Sequence, residues 1–256
     1  MPVPTKNGNF MEKITLSSGQ HIIRVLEYVE GTILQKVTCP PELFYDVGYT
    51  VGKLDLDMKN FHHDAYDKRN FLWMLQSVPY LSKFVFAVSD ERNKEVVINV
   101  IEEFERRVLP ISNSLEKGLI HGDVNEQNII VDKVADKYSI QAIIDFGDTH
   151  IGCYLYEVAI TMAYMILTSE NIESGGYVLA GYHSAKRVSE NELSLLKVCV
   201  AARLCQSLVM GAYSILQDPE NTYVLTTAAK GWTILNELWR QPESEILDGW
   251  KSKLKQ

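Results

Sequence analysis

The sequence predicts an α+β fold with a small strand-bearing front and a large, mainly helical back. Three observations carry this. His21 to Val29 is rich in β-branched and apolar residues and reads as an early strand. Two short apolar runs, Ile129-Ile130-Val131 and Ala142-Ile143-Ile144, flank a polar turn at Asp132-Lys133-Val134-Ala135-Asp136, as in a hairpin. From Tyr154 onward the chain is almost wholly helical in pattern.

Taken in order, Lys6-Asn7-Gly8-Asn9 suits a hairpin turn. Pro40-Pro41-Glu42 opens a helix, since proline is tolerated in a first turn. Leu43, Val47, Val51, Leu54 and Met58 follow at helical spacing and read as core. A second helix is expected over Asp67 to Val78, ended by Pro79, and a third after Ser89. Val96, Val97, Val100, Ile101 and Phe104 share one face of that third helix, and Pro110 stops it. The back is expected to hold helices over Tyr154 to Leu167, Asn191 to Leu216 and, after Pro219, Tyr223 to Trp239. Gly175-Gly176 suits a close approach of backbones. From Glu243, Ile246, Leu247 and Trp250 offer a docking face to a polar tail.

Composition narrows the function classes. The chain has 256 residues, 46% hydrophobic and 23% charged, ordinary for a soluble globular protein. Its net charge of −8 argues against general nucleic-acid binding. Four cysteines, Cys39, Cys153, Cys199 and Cys205, form no C-x-x-C pair and read as reduced core thiols. The start lacks a signal-like apolar region, and the run from Val158 to Leu167 is too short to span a bilayer. A cytoplasmic location without membrane partners is the expectation.

The chemistry concentrates in His121-Gly122-Asp123, then Asn128, then Asp145-Phe146-Gly147-Asp148. An Asp, four residues, an Asn, and a later Asp-Phe-Gly is the layout of a kinase-type phosphoryl-transfer site. Such transfer asks for positioning and charge neutralisation. Asp123 is placed to take the acceptor hydroxyl's proton or to orient it. Asn128 and Asp145 offer oxygen ligands that suit Mg²⁺, and the hairpin brings both to one end. Single tripeptides of this kind also arise as turns or helix caps; the ordered pair on two strands favours the kinase reading. His121 is expected to be structural, packing near Asp145. A metallohydrolase using His121, Asp123, Asp145 and His62-His63-Asp64 is disfavoured, since adjacent histidines point apart.

Arg203 interrupts an apolar helix, and a buried arginine needs an anion. That anion is either a substrate carboxylate or an internal partner, with Glu157 or Asp148 the candidates. Gln206 and Tyr213 fall at helical spacings from it. Asp148 suits either a substrate ammonium or the cap of the next turn. Glu157 is expected to brace the loop around Asp123, and Trp73 to pack in the core.

With glycine between the His and Asp, His121-Gly122-Asp123 and Ile144-Asp145-Phe146-Gly147-Asp148 resemble the aminoglycoside phosphotransferase/choline kinase group of small-molecule kinases. Phe61-His62-His63, Arg69-Asn70-Phe71-Leu72-Trp73, Tyr156 to Thr161, Gly175 to Gly181 and Cys205 to Ser214 extend the likeness towards the hydroxylysine kinase family. The resemblance implies a protein-kinase-like fold and GTP-dependent phosphorylation of the 5-hydroxy-L-lysine hydroxyl, with ATP the other donor. It also implies Asp123 as base, Asn128 and Asp145 as metal ligands, and a hinge at Leu26 to Gly31. There the backbone near Glu27 and Val29 meets the purine edge, and Gly31 permits the turn.

One departure stands against it. Only 26 residues precede Glu27; they hold no G-x-G-x-x-G, and their lysines, Lys6 and Lys13, lie in no V-A-I-K-like strand. The expectation is a partial N-lobe and hinge over residues 1–31 and a C-lobe over 32–256, with weak or absent turnover in this chain. The alternatives are a nucleotide- or partner-binding homologue without catalysis, and a kinase of choline, homoserine or an aminoglycoside.

Overall fold

The computed structural model describes residues 1–218 and 222–255, with the side chains of Val134 and residues 222–229 left aside. Its front is two separate ribbons. β1 (Pro2–Val3) pairs with β4 (Val25–Leu26), and β2 (Glu12–Leu16) pairs with β3 (Gly19–Ile23), all antiparallel. The expected His21–Val29 strand is therefore two strands that change partner at Arg24. A turn does form at Thr5–Asn9, with Gly8 N donating to Thr5 O (2.9 Å), but the hairpin turn is at Ser17-Ser18. Side chains of these strands are largely exposed.

β5 (Thr32–Ile33) joins the front to the hairpin of β7 (Ile129–Val134) and β8 (Lys137–Ile143). That hairpin turns at Ala135-Asp136, both at positive φ, so the loop is tighter than the five residues expected. β6 (Lys117–Ile120) pairs with β9 (His150–Cys153), antiparallel.

α1 (Pro41–Met58) opens on its proline as expected, and Leu43, Val47 and Val51 are buried. The buried stripe then drifts to Gly48, Gly52 and Asp55, leaving Leu54 and Met58 only half-buried. This drift lets α1 lie directly against α5 (Ser174–Ala185): a Cβ on Gly48 would overlap the Val178 carbonyl, and one on Gly181 the Tyr45 carbonyl.

The helix expected over Asp67 to Val78 is not there. α2 (Asp64–Asp67) is one turn, and Pro79 sits inside a 3-10 stretch, Leu75–Lys83. The carbonyls of Leu72, Trp73 and Met74 accept from the side chains of Gln206 and Arg203, and Phe71 O from Ser77 Oγ. The backbone turns that do close here are short, Met74 N donating to Phe71 O (3.2 Å) and Ser77 N to Met74 O (2.8 Å), three residues back rather than four. α3 (Glu91–Glu103) follows Ser89 as expected, capped by Asp90, which accepts from Asn93 N (2.9 Å). It continues through a wide turn at Phe104–Val108 to Pro110.

α4 (Tyr154–Ser169) is buried on nearly all sides. The long helix expected from Asn191 is broken into α6 (Glu190–Leu193) and α7 (Leu196–Gln217). The break has a cause: Ser194 O accepts from Arg107 Nη2 (2.9 Å), and Leu193, Leu195 and Leu196 are all buried. α7 is long and apolar enough to cross a membrane by length and composition, yet it packs against α3, α4 and α8 (Thr222–Arg240) as a core helix. Pro219 lies outside the described residues. α9 (Glu243–Ser252) docks through Ile246 and Trp250, and Gly175 and Gly176 give Trp250 its seat. The four cysteines are free thiols, and burial pushes Cys39 and Cys153 up to about 11.

Candidate active site

β6 delivers His121 into the core at the point where the chain must turn sharply. Gly122 takes that turn at φ 80°, and a Cβ there would strike the His150 ring. His121 Nδ1 accepts from Asp123 N (3.2 Å), so Nε2 carries the proton and donates to Ile144 O (3.0 Å). Its ring meets Phe146 edge-on at 4.8 Å. His121 thus ties the Asp123 loop to the segment bearing Asp145, the structural part expected of it. Glu157, fully buried on α4, accepts from Gly122 N (2.9 Å) and braces the same turn. Burial raises the Glu157 carboxyl above its usual range.

Asp123 is held at both oxygens. Oδ1 receives Arg203 Nη2 (2.8 Å), and Oδ2 receives Asn125 Nδ2 (3.0 Å) and Asn128 Nδ2 (3.2 Å). Burial raises its pKa and Arg203 opposes the rise. Asn128 Nδ2 also donates to Asp123 O (2.9 Å), so the nitrogen end of the amide is turned to the Asp123 loop. Ile144 N donates to Asn128 O (2.9 Å) at the open end of the β7–β8 hairpin, so Asn128 and Asp145 do lie together. Asp145 is exposed, in left-handed backbone (φ 63°, ψ 68°), with Oδ1 accepting from Gly147 N (3.2 Å). An amide carbonyl oxygen and an exposed carboxylate on adjacent strand ends are hard donors of the kind a divalent cation takes.

Arg203 is a correction in its partner. It is buried, and its anion is Asp123, not Glu157 or Asp148. Its other nitrogen, Nη1, donates to Trp73 O (2.9 Å) and Gln206 Oε1 (3.0 Å), and the Trp73 and Tyr164 rings flank the guanidinium. Tyr213 does not join this group; it packs on Phe84. Of the histidine pair, His62 approaches Asp64 (3.4 Å) at the surface, while His63 Nδ1 accepts from Ala65 N (3.2 Å). The two take different partners within residues 64–67.

In the front, Glu27 N donates to Met1 O (2.8 Å), extending the β1–β4 pairing. Gly31 then turns at positive φ into β5, so the segment carrying Glu27 and Val29 runs straight into the sheet that carries Asn128.

Comparison with known proteins decides the family. A model of the phosphotransferase enzyme family (APH) matches residues 12–190. Hydroxylysine kinase of Bos taurus is 34% identical over 260 residues, covering 96% of this chain and 69% of that protein. Hydroxylysine kinase of Xenopus laevis is 36% identical, covering 93% and 68%. The chain belongs to the phosphotransferase enzyme family. Among solved structures, a microcompartment-associated aminopropanol kinase superposes with a TM-score of 0.72 at 18% identity, covering 93% of this chain and 74% of that one. Amicoumacin kinase hAmiN gives 0.65 at 16%, covering 95% and 74%.

As a member of this phosphotransferase family, the chain is a small-molecule kinase acting on a hydroxyl acceptor, with the α+β plan expected of it. Asp123 opens onto a cavity of about 610 Å³, a size suited to a small ligand. Asp148 lines it, as do Glu126, Glu170, Arg203 and Lys230, the last pairing with Glu170. Arg69 donates to Thr149 O (2.7 Å) and Gly147 O (2.8 Å), fastening the loop that bears Asp145 and Asp148. From the sequence Arg69 enters only through the family resemblance, because its partners are backbone carbonyls about 80 residues away.

Proposed function

We propose that this chain transfers the γ-phosphate of GTP to the hydroxyl of 5-hydroxy-L-lysine in the cytoplasm. The observation that carries the reading is the charge set around Asp123. Four carboxylates line one cavity beside Arg203 and Lys230, which are paired with Asp123 and Glu170, so the charge of the lining favours an acceptor with two amines. The hydroxylysine kinases at 34–36% identity support the same acceptor.

In this reading Asp123 accepts the hydroxyl's proton or aligns the hydroxyl with the γ-phosphorus. Arg203 fixes the Asp123 carboxylate, and His121 with Glu157 fixes its backbone. Asn128 and Asp145 would hold Mg²⁺ through their oxygens, and the ion would supply neutralisation of phosphate charge. The Glu27 carbonyl and the Val29 backbone meet the purine edge. Asp148 faces an acceptor ammonium; Arg203 acts on the acceptor only through Asp123.

Phosphate release from GTP and ATP, with 5-hydroxy-L-lysine, choline, homoserine and an aminoglycoside as acceptors, tests this. Transfer to hydroxylysine with GTP in excess over the others is expected; transfer only to another acceptor sinks it.

A second reading, binding without useful turnover, is favoured by one observation. The 256 residues hold no G-x-G-x-x-G, and Lys13 lies exposed on β2. One preorganised phosphate donor is worth about 3 kcal/mol of barrier, so lacking several costs many powers of ten at about 1.4 kcal/mol each. Mg²⁺-dependent GTP binding by calorimetry with slow or no transfer is its signature. Ordinary kinase turnover by these 256 residues overturns it.

A further inference from the structure

The cavity that Asp123 opens onto has two ends of different charge. At the near end Asp123 feels the charge of Asp148, and Glu126 feels that of Asp123, so three carboxylates stand together. The cation there, Arg203, is 1% exposed and spent on Asp123. At the far end stand Glu170 and Lys230, which pair with each other. α4 sets the two ends apart. Tyr164 flanks the Arg203 guanidinium, and Glu170 follows six residues later, about 9 Å further along at about 1.5 Å per residue. Gly231 seats its neighbour Lys230 at that end, since a Cβ on Gly231 would meet Leu208 Cδ2 at 2.6 Å and Leu167 Cδ2 at 3.6 Å.

The far pair is open to solvent, with Lys230 60% and Glu170 51% exposed. An exposed pair adds little to stability and gives way readily to other charges. A single contact uses one of an ammonium's three donors and one of a carboxylate's acceptor positions. Glu170 also ends α4 in left-handed backbone (φ 54°), where glycine or asparagine is the comfortable residue. The chain sets a carboxylate there instead. An α-amino acid head carries the complementary two charges, a carboxylate for an ammonium and an ammonium for a carboxylate. Among the described residues lining the cavity, Lys230 is the cation with surface open to a ligand. In extended 5-hydroxy-L-lysine the carboxylate lies about 7 Å from the reacting hydroxyl, at about 1.5 Å per bond. A hydrogen bond of about 2.8 Å at each end carries that reach to about 12 Å, the scale of the offset along α4. We propose that Lys230 takes the acceptor's α-carboxylate and Glu170 its α-ammonium, so that this pair selects an amino-acid acceptor over a plain amino alcohol. This rests on the reading of Asp123 as the residue that handles the acceptor hydroxyl, with Asp148 facing the side-chain ammonium at the near end.

The test compares 5-hydroxy-L-lysine with 1,5-diaminopentan-2-ol, which lacks only the α-carboxylate. Calorimetry with Mg²⁺ and GDP present measures binding to the wild-type chain, Lys230→Gln and Lys230→Arg. Wild type is expected to prefer hydroxylysine by about tenfold, the lower range for a hydrogen bond to a charged group, because the pair is exposed. Lys230→Gln is expected to lose that preference and to hold the diamine as well as before or more tightly, since Glu170 is left without its cation. Lys230→Arg keeps the charge and is expected to keep part of the preference. Glu170→Gln is expected to weaken hydroxylysine but not 6-amino-5-hydroxyhexanoate, which lacks only the α-amine. Equal or tighter binding of the diamine by wild type overturns the assignment and leaves the acceptor reading standing. So does a Lys230→Gln chain that keeps the preference, or that weakens on both compounds alike. If Lys230→Gln does not fold, Glu170→Gln decides, and parallel loss on hydroxylysine and 6-amino-5-hydroxyhexanoate overturns the role. Binding of neither hydroxylysine nor the diamine by wild type removes the acceptor reading and this inference with it.

Discussion

Arg203 Nη2 stands 2.8 Å from Asp123 Oδ1, and the arginine that makes this bond is 1% exposed. α7 thus reaches through the core to grip the carboxylate that opens onto the cavity. The same guanidinium holds Trp73 O, and its neighbour Gln206 holds Leu72 O and Met74 O. One helix face therefore fixes both the acid and the irregular segment beside it.

Arg203→Gln should change the pH dependence of the reaction in a defined direction. Burial already lifts Asp123, and Arg203 pulls it down. Removing the cation raises the carboxyl further, so a base at Asp123 loses its proton only at higher pH. The acid limb of kcat/KM should move to higher pH. An unmoved limb would mean that Asp123 is not the titrating base. The variant should also lose about 3 kcal/mol of stability in urea unfolding, the cost of orphaning a buried charge. Arg203→Lys keeps the charge but not the planar fork, so it should keep more of the wild-type limb and lose the contacts to Trp73 and Gln206. Arg203→Ala that folds normally yet no longer binds acceptor would instead make Arg203 a direct contact.

Asp145→Asn should separate metal binding from folding. Asp145 is exposed and left-handed, a conformation asparagine adopts readily. The amide can still accept from Gly147 N, so unfolding stability should change by no more than about 0.5 kcal/mol. If Asp145 is a metal ligand, Mg²⁺-dependent nucleotide binding by calorimetry should fall at least about tenfold. Unchanged binding would remove Asp145 from the ligand set.

What could be read from sequence and what could not divide along a physical line. The β7–β8 hairpin, the backbone of Asn128 beside the segment leading to Asp145, and the structural histidine were legible because each follows from local spacing and strand chemistry. Arg203 announced that it needed an anion, but its partner is 80 residues distant, and neither periodicity nor charge distinguishes Asp123 from Glu157 or Asp148. The missing helix at Asp67 to Val78 failed for the same reason. Its Leu72, Trp73 and Met74 carbonyls accept from Gln206 and Arg203, 130 or more residues on.

Gly48→Ala tests the α1–α5 contact. Gly48 and Gly52 sit one turn apart on the drifted stripe, a small-residue pattern present in the sequence. The added methyl would overlap the Val178 carbonyl, which is backbone and can move only with α5. Alanine's better helix propensity returns only about 1 kcal/mol, and overpacking costs about 1–3 kcal/mol or more. A net loss of stability is expected in urea unfolding. Gly249→Ala, with open space at its Cβ, should be neutral or stabilising. Equal effects of the two changes would argue against this packing.

Asp55→Asn tests a buried acid away from the site. Asp55 on α1 is 0% exposed, and its Oδ2 accepts from Tyr182 Oη (2.5 Å) while Oδ1 has no partner among the described residues. Burial, then the nearby Glu157 charge, push its carboxyl well above the usual range. The folded chain therefore holds this proton more tightly than the unfolded chain. Between the ordinary carboxylate value and the raised one, the folded state binds more protons, so stability falls as pH rises. Below that window Asp55 is protonated in both states and its pH effect vanishes. Replacing it with asparagine keeps an oxygen for Tyr182 and removes the charge. Unfolding midpoints measured from pH 4 upward should decline less steeply for Asp55→Asn than for wild type, and the variant should be the more stable chain at neutral pH. Parallel curves would mean that Asp55 titrates alike in both states and that its burial is relieved by solvent.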